Sequence, residues 1–347
     1  MSAPVGPLRI VVVHSHAPSR ERWVRALAER LPQARVVAWP DPGGPAAAVD
    51  PAERSEQVGQ AESAMPTDDA APADAAADFA VGWAPPADFF ARNPRLQAFF
   101  SAAAGVDHLL RHPGLPAALP IVRLEDAGMG AQMAEYCCHE ISRLYLRRDD
   151  YARQQREGRW QVLLSPRRSE FAVGVLGLGV LGSEVACAAA RLGYPVNGFS
   201  RTPRAVDGVR GFSGGEDALE AFLRATRVLV VMAPLTADTA DLLDRRRLSW
   251  LQPGGWVINV ARGELVVDAD LIGLIDAGHL AGATLDVFRE EPLPPAHPFW
   301  RHPAIRITPH VAALTLVGPS AEQVAGKIGR MLRGEAVSGL VDRVRGY

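Results

Sequence analysis

The stretch from Phe171 to Leu192, FAVGVLGLGVLGSEVACAAARL, constrains this chain more than any other. Phe171–Leu176 is a short apolar, β-branched run of the kind that forms a buried strand. Gly177, Gly179 and Gly182 follow in G-x-G-x-x-G spacing, with Val180 and Leu181 between the last two. Ser183–Leu192 is rich in alanine and reads as a helix, with Gly193 placed to stop it. In such a unit Gly177 permits a tight turn, Gly179 lets a pyrophosphate approach the backbone, and Gly182 lets helix and strand pack closely. Free N–H groups and the positive end of the helix dipole then face the phosphates. Glycine turns are common, so a lone G-x-G-x-x-G is weak. Strand, glycines and helix in this order predict a dinucleotide site at Gly177, Gly179, Val180, Leu181 and Gly182.

A length of 347 residues leaves room for about two domains around this unit. A formal net charge of −2 gives no case for nucleic acid or an acidic membrane surface as a partner. The odd set of Cys137, Cys138 and Cys187 argues against a disulfide framework and fits a reducing, cytoplasmic setting. Cys137-Cys138-His139 lacks the spacing of zinc ligands, and His14-x-His16 reads as turn polarity, so no metal is expected. Leu8–Val13 is too short and has the wrong flanks for a signal peptide, and no apolar run reaches membrane-spanning length.

Along the chain, Leu8–His14 reads as the first strand, Glu21–Leu31 as an amphipathic helix and Arg35–Trp39 as a second strand. From Pro40 to about Ala77, alanine, proline, aspartate and glycine dominate, and sizeable apolar residues are rare. Such a segment buries too little to offset its ordering entropy and is expected to be a flexible insertion. Phe79–Trp83, Leu96–Phe100 and Pro120–Leu124 resume the strands, and Ala131–Trp160 reads as one long helical stretch. After the glycine loop, strands are expected at Pro195–Phe199, Val228–Met232, Trp256–Val260, Ala283–Val287 and Ile305–Thr308. A last helix spans Pro319–Arg333. Alternating strands and helices predict an α/β fold with a doubly wound parallel sheet, whose ligands gather outside the carboxyl ends of its strands.

Three charged residues follow three of those strands. Arg262 follows WVINVA, Glu291 lies beyond LDVF, and His310 follows IRITP. Reducing a 2-oxo acid needs a hydride donor, a cation for the carboxylate and carbonyl, and an acid for the new alkoxide. Arginine offers a planar fork that suits a carboxylate. Histidine titrates near neutrality, and a nearby carboxylate orients the ring and stabilises its cation. Singly, each of these is better explained as a surface arginine, a helix-capping histidine or a solvated acid. Together at one sheet edge they point to catalysis.

The end of the next strand bears on the cofactor. NAD-specific sheets of this kind place an acid about 20 residues beyond the glycines, for the ribose 2′-hydroxyl. Here PVNGF is followed by Ser200, Arg201, Thr202 and, two residues on, Arg204. Hydroxyl donors and a cationic fork suit a 2′-phosphate, so NADP(H) is expected in preference to NAD(H).

These residues sit in a recognisable pattern. The pieces SAAAGVDHLL, LEDAGMGAQMAEY, GVLGLGVLGSEVA, INVARGELVVDADL, LDVFREEPLPPAHPFWRHP and ITPHVAA cover much of residues 95–347. The chain resembles the D-isomer-specific 2-hydroxyacid dehydrogenases, and among them the members that reduce glyoxylate and hydroxypyruvate. The resemblance implies two domains. A smaller flavodoxin-like, substrate-binding α/β domain takes 1–127 plus 318–347, with 40–77 inserted. A Rossmann-type dinucleotide domain takes 128–317. It implies that Arg262 binds and polarises the substrate, that His310 is the acid/base and that Glu291 supports it. It also places Trp83, Ala104, Gly105 and Val106 at the substrate, and Pro234, Thr236, Val260, Ala261 and Asp286 on the cofactor side. A small 2-oxo acid substrate and a homodimer formed through the dinucleotide domain, with Ala131–Arg148 as the contact, complete the expectation. Two other readings stand beside it: another 2-oxo acid (phenylpyruvate-like, or phosphoglycerate oxidation) and a non-catalytic, dinucleotide-sensing scaffold.

Overall fold

The apolar runs pair as two all-parallel sheets. A computed structural model of the protein describes residues 7–39 and 77–347. The insertion expected at Pro40–Ala77 lies outside the described residues, apart from Ala77, which is buried. The chain divides into two compact units, 1–128 with 315–347, and 129–314.

In the first unit the elements are β1 (Arg9–Val13), α1 (Ala17–Arg30), β2 (Arg35–Ala38), β3 (Phe79–Gly82), α2 (Phe89–Arg92), β4 (Ala98–Ser101), α3 (Asp107–Leu110) and β5 (Ile121–Val122). Their sheet runs β2-β1-β3-β4-β5, the flavodoxin-like order. Side chains alternate across it. Val11 and Val13 join Trp39, Phe89, Phe90 and Phe99 in one core, while Ile10 and Val12, equally buried, take the other face. Helix α1 begins four residues earlier than the hydrophobic pattern indicates. His16 caps it, its Nδ1 accepting from the Ser19 N–H at 3.4 Å. His14 and His16 are thus occupied with backbone at this turn.

The second unit contains α4 (Met129–Tyr145), α5 (Arg148–Arg156), β6 (Val173–Leu176), α6 (Val180–Arg191), β7 (Val196–Ser200), β8 (Val209–Ser213), α7 (Glu216–Arg224), β9 (Val228–Val231), α8 (Arg245–Leu248), β10 (Gly255–Asn259), α9 (Asp268–Asp276), β11 (Leu280–Leu285) and β12 (Ile305–Ile307). The sheet order is β12-β11-β10-β9-β6-β7-β8. It is a doubly wound sheet with β6 at the reversal of strand order. Both faces are buried, which is why its strands read as continuous apolar runs. Val173, Val175, Val228 and Val230 enter one core, and Leu176, Leu229 and Val231 enter the other. A final helix, α10 (Val317–Leu332), belongs to the first unit.

Two expectations are corrected. The helical stretch expected over Ala131–Trp160 is two helices, because Arg147 adopts a left-handed conformation (φ 55°) between them. Asp149 and Asp150 occupy the first turn of α5, where acids suit the helix dipole. Strand β8 has no counterpart in the pattern reading. It is an edge strand, with only Val209, Phe212 and Ser213 partly buried, so its apolar alternation is weak. No helix among the described residues is long and apolar enough to cross a membrane.

Candidate active site

All seven strands of the second unit are parallel. The segments leaving their carboxyl ends therefore share one edge of the sheet. The glycine loop leaves β6, Arg201 leaves β7, Pro234 and Thr236 leave β9, Arg262 leaves β10, Asp286 and Glu291 leave β11, and His310 leaves β12.

The three loop glycines are required for different reasons. Gly177 has φ 107°, and a Cβ there would lie 2.6 Å from the Ala233 nitrogen. A Cβ on Gly182 would lie 1.9 Å from the Gly177 carbonyl oxygen, so strand and helix touch backbone to backbone. Gly179 faces open space, with nothing within 4 Å of its hypothetical Cβ. Space at Gly179, at the amino end of α6, fits a pyrophosphate approaching the backbone. Val180 and Leu181 form the first turn of α6, where Val180 is exposed.

At the end of β7, Ser200 donates its hydroxyl to the Thr202 carbonyl at 2.8 Å, so its one donor proton is taken up within the turn. Arg201, Thr202 and Arg204 are exposed. The Arg204 guanidinium donates to the Leu178 carbonyl, which ties this turn to the glycine loop. After β9, the Thr236 N–H donates to Thr239 Oγ1 at 2.8 Å, and that hydroxyl donates to the Pro234 carbonyl at 2.6 Å. The result is a closed turn at Pro234–Thr239.

Asn259 shapes the turn that carries Arg262. Its side chain accepts from the Ala261 N–H at 3.1 Å and donates to the Arg262 carbonyl at 2.8 Å. Val260, before the arginine, is buried and Ala261 is half-buried. The next residue, Gly263, packs so closely on Phe288 that a Cβ would lie 2.1 Å from the Phe288 carbonyl carbon. The Arg262 and Glu291 loops are thus in direct contact. Pattern reading gave no sign of Asn259 in this role, because a buried asparagine at a strand end looks like an ordinary turn residue.

Glu291 and His310 form a close pair, with Oε2 of Glu291 2.8 Å from Nδ1 of His310. The other carboxylate oxygen accepts from the Phe288 N–H at 2.9 Å, which fixes its rotamer. Burial pushes the Glu291 carboxyl up. The His310 hydrogen bond and charge, the Phe288 N–H and the Arg262 charge outweigh it and hold the group below its ordinary value. Burial in turn pushes His310 down, but the Glu291 bond and charge raise it, with Arg262 opposing and Asp286 helping. The net shift is upward. His310 has φ 56°, in the left-handed region that few non-glycine residues adopt, though histidine enters it more readily than most. With Nδ1 committed to Glu291, Nε2 is the nitrogen that can carry an exchangeable proton.

Asp286 is 1% exposed. One oxygen accepts from Thr308 Oγ1 at 2.6 Å and from the Val311 N–H at 2.9 Å, and the other from the Ala312 N–H at 2.9 Å. Much of its hydrogen-bonding capacity is therefore spent on the chain around His310, a role its position in the sequence did not reveal.

In the first unit, Trp83 follows β3 and stacks on His108, their ring centroids 3.6 Å apart. Ala102 is tied to Gly82 by its N–H, at 2.9 Å. Ala104, Gly105 and Val106 then lead into α3, with Val106 as its N-cap. The three cysteines are unbridged, and burial pushes the Cys137 thiol well up. No cluster of three or more metal-ligating side chains occurs among the described residues.

Comparison with known proteins gives the family. Residues 141–312 match the family described as D-isomer specific 2-hydroxyacid dehydrogenase, NAD binding domain. A glyoxylate/hydroxypyruvate reductase A from Yersinia enterocolitica is 45% identical over 276 residues, covering 78% of this chain and 88% of that one. One from Serratia proteamaculans is 40% identical, over 94% of this chain and 96% of its own. A D-isomer-specific 2-hydroxyacid dehydrogenase from Xanthobacter autotrophicus, solved with NADPH and MES, superposes with a TM-score of 0.84 at 37% identity, covering 97% of this chain and 99% of that one. An NADPH-dependent glyoxylate/hydroxypyruvate reductase from Sinorhizobium meliloti, solved with NADP and sulfate, gives 0.83 at 32% identity, over 98% and 100% of the two chains. The glycine loop, the sheet that carries it and these relationships together place the chain among the D-isomer-specific 2-hydroxyacid dehydrogenases, as an NAD(P)-dependent oxidoreductase.

Proposed function

We propose that this protein uses NADPH to reduce glyoxylate and hydroxypyruvate to glycolate and D-glycerate. The observation that carries the reading is the His310–Glu291 pair, placed with Arg262 on the sheet edge that bears the glycine loop. The bound nicotinamide supplies a hydride to the carbonyl carbon of the 2-oxo acid. Arg262 holds the substrate carboxylate and draws electron density toward the carbonyl oxygen as it becomes an alkoxide. His310 delivers the proton on Nε2 to that oxygen, so the product is the neutral hydroxyl. Glu291 holds the ring by Nδ1 and stabilises the imidazolium that must be present beforehand. In the first unit, the same reading assigns the backbone amides of Ala104, Gly105 and Val106 to the substrate carboxylate and Trp83 to the pocket wall. The first unit would then be the substrate-binding domain and the second the dinucleotide domain.

For the cofactor, Gly177, Gly179, Val180, Leu181 and Gly182 would hold the pyrophosphate. Ser200, Arg201, Thr202 and Arg204 would hold the 2′-phosphate. Pro234, Thr236, Val260, Ala261 and Asp286 would line the nicotinamide side. No acid stands at 199–204 to repel a 2′-phosphate, and the relatives solved with NADP or NADPH support the same preference.

The reading includes a cytoplasmic homodimer. The apolar side of α4, with Met133, Ala134, Cys137 and Ile141, is used in the unit's own core. The strip that follows α5 is different. Tyr151 and Gln154 pin its backbone at Leu163 and Gln161. Trp160, Val162 and Leu164 alternate outward and are 98%, 77% and 85% exposed. Such an apolar strip favours a second copy as its cover.

The test is NADPH and NADH oxidation with glyoxylate, hydroxypyruvate, pyruvate and phenylpyruvate. The two small substrates with NADPH should give the highest kcat/KM. Faster phenylpyruvate turnover would overturn the substrate assignment. Tight NADPH binding without turnover of any of the four would indicate a dinucleotide sensor.

A further inference from the structure

We propose that Tyr136 is a positioning residue that acts through Thr308 and Asp286 to hold the turn presenting His310. This rests on the reading of His310 as the proton donor. Tyr136 lies on α4, and its hydroxyl is 2.6 Å from Thr308 Oγ1. Thr308 has one hydroxyl proton and gives it to Asp286 Oδ1 at 2.6 Å. The proton between Tyr136 and Thr308 therefore comes from the phenol, and the chain runs Tyr136 to Thr308 to Asp286. Burial pushes the phenol above its ordinary value, so it stays a donor throughout the working pH range.

The chain ends on a residue that grips the His310 turn at several points. The Asp286 carboxylate accepts from the N–H groups of Val311 and Ala312, and its carbonyl accepts from the His310 N–H at 2.8 Å. These bonds hold His310 at a positive φ that an unrestrained turn would relax. If the anchor loosens, the imidazole shifts relative to Glu291 and their 2.8 Å bond lengthens. Neutral donors in series fix Asp286 without adding a charge that would compete with Glu291 for the imidazolium. The charged groups acting on His310 are Glu291, Arg262 and Asp286, and those acting on Tyr136 are Asp286 and Glu140.

The experiment is an NMR titration of histidine ring nitrogens in ¹⁵N-histidine-labelled protein, with the His310 signals assigned by their loss in His310→Gln. Wild type is compared with Tyr136→Phe, Thr308→Val and Thr308→Ser. In Tyr136→Phe, which keeps the ring and removes one oxygen, the His310 pKa should fall by about 0.5. Thr308→Val should lower it further, and Thr308→Ser, which keeps the hydroxyl, should restore it. The same two damaging variants should lose about 10-fold in kcat for hydroxypyruvate with little change in KM for NADPH. An unchanged His310 titration in both, even with a lower Tm, would show that Tyr136 and Thr308 only fill space and would overturn the proposal. The titration reads the ring whether or not the protein reduces a 2-oxo acid. Failure of the positioning idea is therefore distinguishable from failure of the reductase reading, which would show as absent turnover in wild type.

Discussion

At the scale of single residues, the proposed reduction depends on charges held where reaction charge develops. Arg262→Ala should lower kcat/KM for hydroxypyruvate by about 100-fold or more, because a charged donor to the forming oxyanion is lost. The protein should keep its Tm, since the Arg262 side chain is only half-buried. Near wild-type kcat/KM would remove Arg262 from the mechanism. Arg201 is expected to contribute only where a 2′-phosphate is present. Arg201→Ala should weaken NADPH by about ten- to a hundredfold, as expected for a charged hydrogen bond of about 1.5–3 kcal/mol. NADH should be little affected, and equal weakening of both cofactors would refute the assignment. The Glu291–His310 pair also sets a pH window for stability. Glu291, held below its ordinary value, contributes above its unfolded pKa, and that contribution is lost as pH falls through the folded one. His310, raised, contributes below its unfolded pKa, and that contribution is lost as pH rises through the folded one.

At the scale of elements, the two glycines of the loop before and within α6 separate fold from function. Gly182→Ala forces a Cβ into the Gly177 carbonyl, 1.9 Å away, with only backbone to yield. It should cost about 1–3 kcal/mol, read as a lower Tm, and weaken the cofactor as a consequence. Gly179 has an ordinary φ of −72° and open space beside it. Gly179→Ala should leave Tm unchanged yet weaken NADPH, because the methyl group occupies the place where the pyrophosphate approaches. Loss of Tm in Gly179→Ala with unchanged NADPH affinity would reverse these roles. Most strands were legible in the sequence, because both faces of each sheet are buried and apolar runs mark them. Edge strand β8, half-solvated, carries no such run. The break at Arg147 was illegible because arginine has no local preference for a left-handed turn. The His310–Glu291–Arg262 set was visible as residues at strand ends. The Tyr136–Thr308–Asp286 chain was not, since it joins residues 172 and 22 positions apart through tertiary packing alone.

At the scale of the whole molecule, the exposed strip after α5 bears on assembly. Trp160→Ser with Leu164→Ser should shift the protein from dimer to monomer in light scattering at micromolar concentration, since it removes much of the apolar area available to an interface. A wild type that is already monomeric would contradict the dimer. The chemistry is tested most directly by one comparison: the pH dependence of kcat/KM for NADPH-dependent hydroxypyruvate reduction in wild type and Glu291→Gln. In the proposed mechanism reduction consumes the proton on His310, so the wild-type rate should fall as pH rises through the raised histidine pKa. In Glu291→Gln the raising bond and charge are gone, while burial and Arg262 still press the pKa down. That limb should therefore move to lower pH. A profile that keeps its limb in Glu291→Gln, or a wild type that reduces hydroxypyruvate without any alkaline fall, would contradict the account.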